Sequence, residues 1–120
     1  MARYVDGFLI PVPKKNLAAY RKIARKAAKV WRKHGALEYR ECVGEDLKIK
    51  GVVSFPRQLR SKPGETVVLA WIVYRSKADR DRINALVMKD SRIAGYSDPK
   101  RMPFDTKRMV YGGFEVFVEA

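Results

Sequence analysis

Apolar positions in the first third of the chain change their period once, from the pattern of a strand to that of a helix. Tyr4 to Val12 is rich in aromatic and β-branched residues, which favour a β-strand, and Pro11 and Pro13 would end it. From Pro13 to His34 the apolar residues recur every three or four positions: Leu17, Tyr20, Ile23, Ala24, Ala27, Val30 and Trp31. This spacing predicts an amphipathic helix, and Gly35 directly after it is typical of a C-terminal cap.

The middle of the chain predicts two strands separated by an irregular segment. Ala36 to Glu45 alternates in the manner of a strand. Asp46 to Gly64 carries several prolines and glycines, and it is longer than an ordinary connection, so we expect part of it to pair as a short strand around Val52 and Val53. Thr66 to Tyr74 is the clearest strand of the sequence.

The last third predicts a second helix and a final strand. Ser76, followed three residues later by Asp79, resembles a capping box and would begin the helix. The apolar side of this helix consists of Ile83, Leu86 and Val87. Ser91 to Lys107 is predicted to be a loop, and Arg108 to Val118 the last strand.

The predicted elements follow the order β-α-β-β-α-β, which is that of a ferredoxin-like α+β domain. Residues 1–120 have the length of one domain, and the sequence contains no repeat or linker. Because βαβ crossovers are right-handed, we expect an antiparallel sheet with both helices on one face.

The uncovered face of this sheet is predicted to be apolar, which favours a homodimer. Both sides of the third strand are apolar, with Val67, Leu69, Trp71 and Val73 on one and Val68, Ala70 and Ile72 on the other. Two helices cover only one face, and a large exposed apolar face is a liability for a monomer. Packing two copies face to face about a two-fold axis would remove it.

Charge adds a second hypothesis. The chain has 26 Lys and Arg against 13 Asp and Glu, a formal net charge of +13. Such a surplus favours binding to polyanions. On the side of the first helix opposite its apolar stripe, the sequence places Lys22, Lys26, Lys29 and Lys33. The alternative function is therefore nucleic-acid binding through this helix. The simpler interpretation is a solvated basic face, since no aromatic residues are left there for base stacking.

Other classes of function are disfavoured by what the sequence lacks. Its single cysteine, Cys42, excludes an intrachain disulfide and a cysteine-rich zinc site. It has no glycine-rich phosphate loop, dinucleotide fingerprint, G-x-S-x-G or His/Cys metal spacing, so neither a metal site nor a cofactor is predicted. No apolar run is long enough for a membrane span, and the N-terminal residues do not form a signal peptide. We therefore expect no membrane partner and a cytoplasmic protein.

Several segments resemble the bacterial family DUF1428. The resemblance runs nearly from end to end, and its most specific part is the run MPFDTKRMVYGGFE at residues 102–115. Further matching segments are Tyr4-Val5-Asp6-Gly7-Phe8, His34-Gly35-Ala36-Leu37, Glu41-Cys42-Val43-Gly44-Glu45-Asp46 and Ser54-Phe55-Pro56. The resemblance implies a dimeric α/β barrel, in which two ferredoxin-like sheets close around a shared interior. The wider superfamily includes cofactor-free monooxygenases, haem-degrading enzymes and stress-response dimers, so the resemblance implies no particular reaction.

The loop before the last strand is the first candidate site. Asp105 and Arg108 lie three residues apart there, and Arg108 could offer its guanidinium donors to a carboxylate or phosphate. Asp105 could instead be the ion-pair partner of Arg108, which would fix the loop without a ligand. Trp71 and Tyr111 would be aromatic walls of a pocket, although packing in the dimer core would also explain them.

Three further residues could carry chemistry. Glu41 is a polar position inside a strand, where it could line a pocket or form an ion pair at an edge. His34 could be a general base or a haem ligand, or a cation favoured by the end of the first helix. Cys42 could be a reactive thiol or a small buried apolar residue. The leading hypothesis is a dimer that binds a small apolar or aromatic molecule in the interior of its barrel, and whether it is a cofactor-free enzyme stays open.

Overall fold

The computed structural model describes residues 2–96 and 98–120. Within them the strands are β1 (Tyr4–Pro13), β2 (Glu38–Val43), β3 (Glu65–Tyr74) and β4 (Val110–Glu115). The α-helices are α1 (Leu17–Lys33), α2 (Phe55–Gln58), α3 (Lys77–Lys89) and α4 (Ser91–Ala94). Short 3₁₀ turns lie at Lys14–Asn16, Pro99–Arg101 and Thr106–Arg108.

The four strands form one antiparallel sheet in the order β2-β3-β1-β4. Together with α1 and α3 they give the predicted order β-α-β-β-α-β, and the α+β ferredoxin-like fold is confirmed. In the register of the sheet, Asp6 lies beside Ile72 and Gly113, and Ala70 lies between Phe8 and Glu41. Residues on neighbouring strands at such positions point to the same face.

Both long helices lie on one face of the sheet, as predicted. Alternate residues of β3 are buried beneath them, namely Val68, Ala70, Ile72 and Tyr74. Val30 of α1 and the pair Ile83 and Val87 of α3 belong to the same apolar cluster as Ile72 and Tyr74. The predicted N-terminal cap of α3 is present, because the Ser76 side chain accepts a hydrogen bond from the backbone N–H of Asp79 at 3.1 Å.

Several boundaries differ from the sequence-based predictions. The segment after Pro13 first forms a 3₁₀ turn, so α1 begins at Leu17. The predicted short strand at Val52 and Val53 is wrong: both side chains are exposed, and the only regular element described between β2 and β3 is α2. Ser54 caps α2 by accepting from the backbone N–H of Arg57, and Pro56 suits its first turn. The predicted loop from residue 91 to 107 contains α4, and β4 ends at Glu115 rather than Val118.

The face of the sheet that no helix covers is apolar. Its exposed side chains include Leu69 on β3 and Val110 and Phe114 on β4. Trp71 lies on this face too and is partly buried, with its indole N–H 3.4 Å from Oε1 of Glu38. We call this surface the open face.

Candidate functional site

A cavity of about 540 Å³ lies between the sheet and the helices. Its floor is formed by the side chains of β1, β2 and β3 that point to the helices, among them Phe8, Tyr39 and Ala70. Along α1 the residues that face it include Ala24 and Ala27. Because alanines stand at facing positions on the helix and the sheet, the space between the two layers is not filled, whereas most protein interiors are closely packed.

At one end of the cavity, Asp6 carries a buried carboxylate. Its side chain is only 1% exposed. Nη1 of Arg80 donates to Oδ1 at 3.2 Å, and Nδ2 of Asn84 lies 3.5 Å from Oδ2. The Tyr74 hydroxyl is 3.2 Å from the same Oδ2. Arg80 also donates to the Tyr111 hydroxyl at 2.7 Å, so the ion pair is tied to the wall of the cavity.

Tyr74 and Trp31 extend this polar cluster through Asn84. The indole N–H of Trp31 donates to Oδ1 of Asn84 at 3.1 Å, and the Tyr74 hydroxyl lies 3.2 Å from the same oxygen. Burial raises the pKa of Tyr74, and the nearby charge of Asp6 raises it further. Tyr74 therefore remains a hydroxyl donor over the ordinary pH range.

Glu41 on β2 is the second carboxylate of the cavity wall. The Tyr39 hydroxyl donates to Oε2 at 2.7 Å, and the Tyr20 hydroxyl donates to Oε1. Burial raises the pKa of both tyrosines, and the charge of Glu41 adds to the rise in each. Both hydroxyls therefore stay protonated, and each carboxylate oxygen accepts one of them.

The cluster of Glu41, Tyr20 and Tyr39 separates the cavity from a groove at the surface. This groove, of about 320 Å³, lies between α1 and β2, and the three side chains line both spaces. Arg21 and Arg25 line only the groove. The Glu41 carboxylate thus lies where the interior space meets a solvent-facing one.

Of the residues proposed from sequence, Glu41 and Tyr111 line the cavity. Cys42 lines the groove, and its exposure differs from the buried position that the simpler interpretation expected. Trp71 lies on the open face and is not among the residues that line the cavity. His34 ends α1, and its Nε2 lies 2.8 Å from Oδ2 of Asp90, outside the cavity. The described residues contain no cluster of side chains suited to a metal ion.

The structure gives Arg108 and Asp105 other partners than the sequence suggested. Arg108 forms a two-pronged ion pair with Glu65, at 2.6 Å from Nη1 to Oε2 and 2.9 Å from Nη2 to Oε1. Its Nη2 also donates to the carbonyl of Arg60 at 3.1 Å. Asp105 caps the following turn by accepting from the backbone N–H of Lys107. Through these three bonds Arg108 fixes the loop against β3, and it is not among the residues that line the cavity.

Sequence reasoning missed Arg80 and Asn84. Both lie on α3, and together with Ile83 and Val87 they occupy the stripe of the helix that faces the sheet. A stripe at positions 80, 83, 84 and 87 that contains two polar residues is a recognisable signal of a buried polar site. Tyr20 was counted among the apolar residues of the first helix and Tyr39 was given no role, yet their hydroxyls carry the bonds to Glu41.

The basic side chains of α1 lie on its outer surface. Lys22, Lys26, Lys29 and Lys33 are all exposed, and α1 contains no acidic residue. The ammonium group of Lys26 lies 5.6 Å from the centre of the Tyr96 ring. This arrangement agrees with a solvated basic face. Within the described ranges, no helix has the length and apolarity that crossing a membrane requires.

Three solved structures share the fold. A putative antibiotic biosynthesis monooxygenase from Nitrosomonas europaea is 10% identical with a TM-score of 0.63, over 96% of this chain and 90% of the other. A dimeric ferredoxin-like protein from an uncultured marine organism is 10% identical with a TM-score of 0.61, over all of both chains. A nipsnap family protein from Agrobacterium tumefaciens is 13% identical with a TM-score of 0.58, over 96% and 88%. At these identities the likeness concerns the fold alone.

Sequence comparison identifies the family. The chain is 41% identical over 117 residues to the uncharacterized protein YbaA of Escherichia coli (strain K12), and the match covers 98% of each chain. YbaA of Shigella flexneri matches to the same extent. Residues 3–106 match the family described as protein of unknown function DUF1428. The chain therefore belongs to the DUF1428 family.

Proposed function

We propose that this protein binds a small, largely apolar molecule in the cavity between the sheet and α1. The observation that carries the proposal is the cavity itself, which offers about 540 Å³ inside mainly aromatic and aliphatic walls. Asp6 and Glu41 are the carboxylates of those walls. A few polar groups that converge on an apolar space are the usual composition of a small-molecule site.

The proposal concerns binding and names no reaction. The Nitrosomonas europaea protein is described as a putative monooxygenase, but at 10% identity its likeness extends only to the fold. An apolar site of this kind serves a binding protein as well as an enzyme. Binding is therefore tested first, because a molecule must occupy the cavity before any reaction can take place there.

Filling the cavity tests the proposal. N-phenyl-1-naphthylamine is an uncharged apolar probe whose fluorescence rises on leaving water. We expect the wild-type protein to bind it and Ala27→Phe, which places a ring inside the cavity, to weaken binding at least tenfold. Ala19→Phe is the matched control, because Ala19 lies on the same helix and is exposed. Circular dichroism of both variants checks that the fold is retained. Equal binding by Ala27→Phe and the wild type would contradict the proposal.

We also propose that the protein is a homodimer that pairs through the open face. The support is an apolar surface on which Phe114 is 62% exposed and Leu69 and Val110 are exposed as well. One similar structure is described as a dimeric ferredoxin-like protein. Burial of such a surface provides a strong driving force for association.

The mass in solution tests the dimer. By light scattering at micromolar concentration we expect twice the chain mass of 13.8 kDa for the wild type. Leu69→Glu, on the open face, should reduce the mass to that of one chain. Val52→Glu adds the same charge at an exposed apolar position outside the sheet and should leave the dimer intact. A wild-type mass of one chain would refute the homodimer.

A further inference from the structure

The two carboxylates of the cavity differ in their charge balance. Asp6 forms an ion pair with Arg80 at 3.2 Å. Glu41 is held by two neutral tyrosine hydroxyls, and among the described residues no ion pair includes it. Glu41 is therefore a carboxylate without an ion-pair partner in the described part of a chain whose formal net charge is +13.

This charge sets a condition on any occupant. A carboxylate can accept about four hydrogen bonds, and Tyr20 and Tyr39 provide two. When a ligand displaces water from the cavity, the remaining lone pairs lose their donors and the charge loses its solvation. An anionic group placed there would be repelled, and a purely apolar one would leave the carboxylate unsatisfied. A protonated amine would supply both the donors and the opposite charge.

Aromatic side chains also border this carboxylate. The hydroxyls of Tyr20 and Tyr39 bond to Glu41, and the Trp31 ring centre lies 6.0 Å from that of Tyr39. These side chains offer aromatic surface against which the uncharged part of a ligand can pack.

The groove limits where the cation would lie. Arg21 and Arg25 line the groove but not the cavity, and both are exposed. Their charges oppose an ammonium group in the groove. The position that remains is on the cavity side of Glu41, with the apolar part of the ligand directed to the interior.

We propose that the ligand is an apolar, aromatic-containing primary or secondary amine, whose ammonium group binds Glu41 and whose ring occupies the cavity. This inference rests on the proposed function and adds the chemical class of the ligand. It assigns Glu41 as the residue that determines specificity for charge.

Competition with matched probes tests the inference. 4-Phenylbutylamine, 4-phenylbutanol and 4-phenylbutanoate share a ring and a chain and differ in charge. Each is titrated against bound N-phenyl-1-naphthylamine at pH 7 and fixed ionic strength. We expect the amine to bind at least tenfold more tightly than the alcohol, and the carboxylate most weakly. This ranking is measured on the wild-type protein and so does not depend on how any variant folds.

Two variants assign the effect to one residue. Glu41→Gln should bring the affinity for the amine to within about threefold of that for the alcohol, both being measured on the same variant. Glu45→Gln removes the same charge from an exposed position four residues away and should preserve the wild-type ranking. Equal binding of amine and alcohol by the wild type, or equal effects of the two substitutions, would overturn the inference while the cavity still binds apolar molecules. Failure of all three compounds and of the probe to bind would refute the proposed function and the inference with it.

Discussion

Arg80 contacts two carboxylates in very different surroundings, and this permits a controlled measurement of a buried charge. Its Nη1 bonds to Asp6, which is 1% exposed, and its Nε lies 2.9 Å from Oδ1 of Asp81, whose side chain is 63% exposed. The two substitutions Asp6→Asn and Asp81→Asn each remove one negative charge beside the same guanidinium. They differ in burial and in hydrogen bonding, because Asp6 accepts from several donors whereas the Nε of Arg80 makes no hydrogen bond to Asp81.

The cost of Asp6→Asn follows from the three donors around the carboxylate. Arg80 approaches one oxygen, and Tyr74 and Asn84 approach the other. An amide offers one oxygen, so its NH₂ group must face either Arg80 or the Asn84 amide, and one buried donor is left without an acceptor. Loss of charge assistance costs about 1.5 kcal/mol and the unsatisfied donor about 1–3 kcal/mol. We expect a loss of about 3 kcal/mol in the free energy of unfolding, near the range for breaking a buried ion pair.

Asp81→Asn should cost less than about 1 kcal/mol, because exposed ion pairs are weak. Urea unfolding followed by circular dichroism, at one protein concentration, measures both values. In thermal unfolding, the loss of stability expected for Asp6→Asn corresponds to a Tm roughly 10 °C below that of the wild type. If the two variants were equally stable, the buried pair would contribute no more than the exposed one and the reasoning would be refuted.

Three further predictions concern stability. Hydrogen bonds from Arg108 hold the pKa of Glu65 below its usual range. Their contribution to stability is therefore present above about pH 4.3 and is lost as the pH falls through the lowered pKa. In urea titrations, Glu65→Gln should lower the free energy of unfolding by about 1 kcal/mol at pH 7 and by progressively less below pH 4. Gly35 has a φ of +117°, so Gly35→Ala should lower stability by at least about 1 kcal/mol in the same assay; an unchanged unfolding midpoint would contradict this. Ser76→Ala removes the cap that receives the N–H of Asp79 and should cost about 1 kcal/mol, measured by guanidinium unfolding, whereas Ser76→Asp should cost little.

The elements with strong local signals could be predicted from the sequence. The apolar stripe from Leu17 to Trp31, the Gly35 cap and the continuous apolar run of β3 each follow from residues close together in the chain. The segment between β2 and β3 lacked such a signal, since Val52 and Val53 resemble a strand but have no neighbouring strand to pair with. The β-propensity of two valines does not determine the structure there, because a strand is stable only when it pairs with a neighbouring strand.

The candidate site could be predicted only in part, because its contacts join distant residues. Glu41 was recognised as a polar residue in a strand, but its Tyr20 partner is 21 positions away. For Arg108 the sequence offered a ligand or an ion pair with Asp105, three residues away, whereas its partner Glu65 is 43 positions distant. The cavity depends on alanines meeting across the helix–sheet interface, and no single segment contains that information.

The Phe114 ring lies against Gly7 and Gly112, which face each other across β1 and β4. A methyl group added at Gly7 would meet this ring at 3.3 Å, so the smooth surface at that point depends on the two glycines. One glycine lies in the first strand and the other, with the ring, in the last. Leu69 and Trp71 of β3 precede the last strand in the chain, whereas the patch formed by Gly7, Gly112 and Phe114 joins the two ends of the sequence. That patch of the open face therefore exists only when the first and last strands are paired, and a chain cut before residue 114 would lack it.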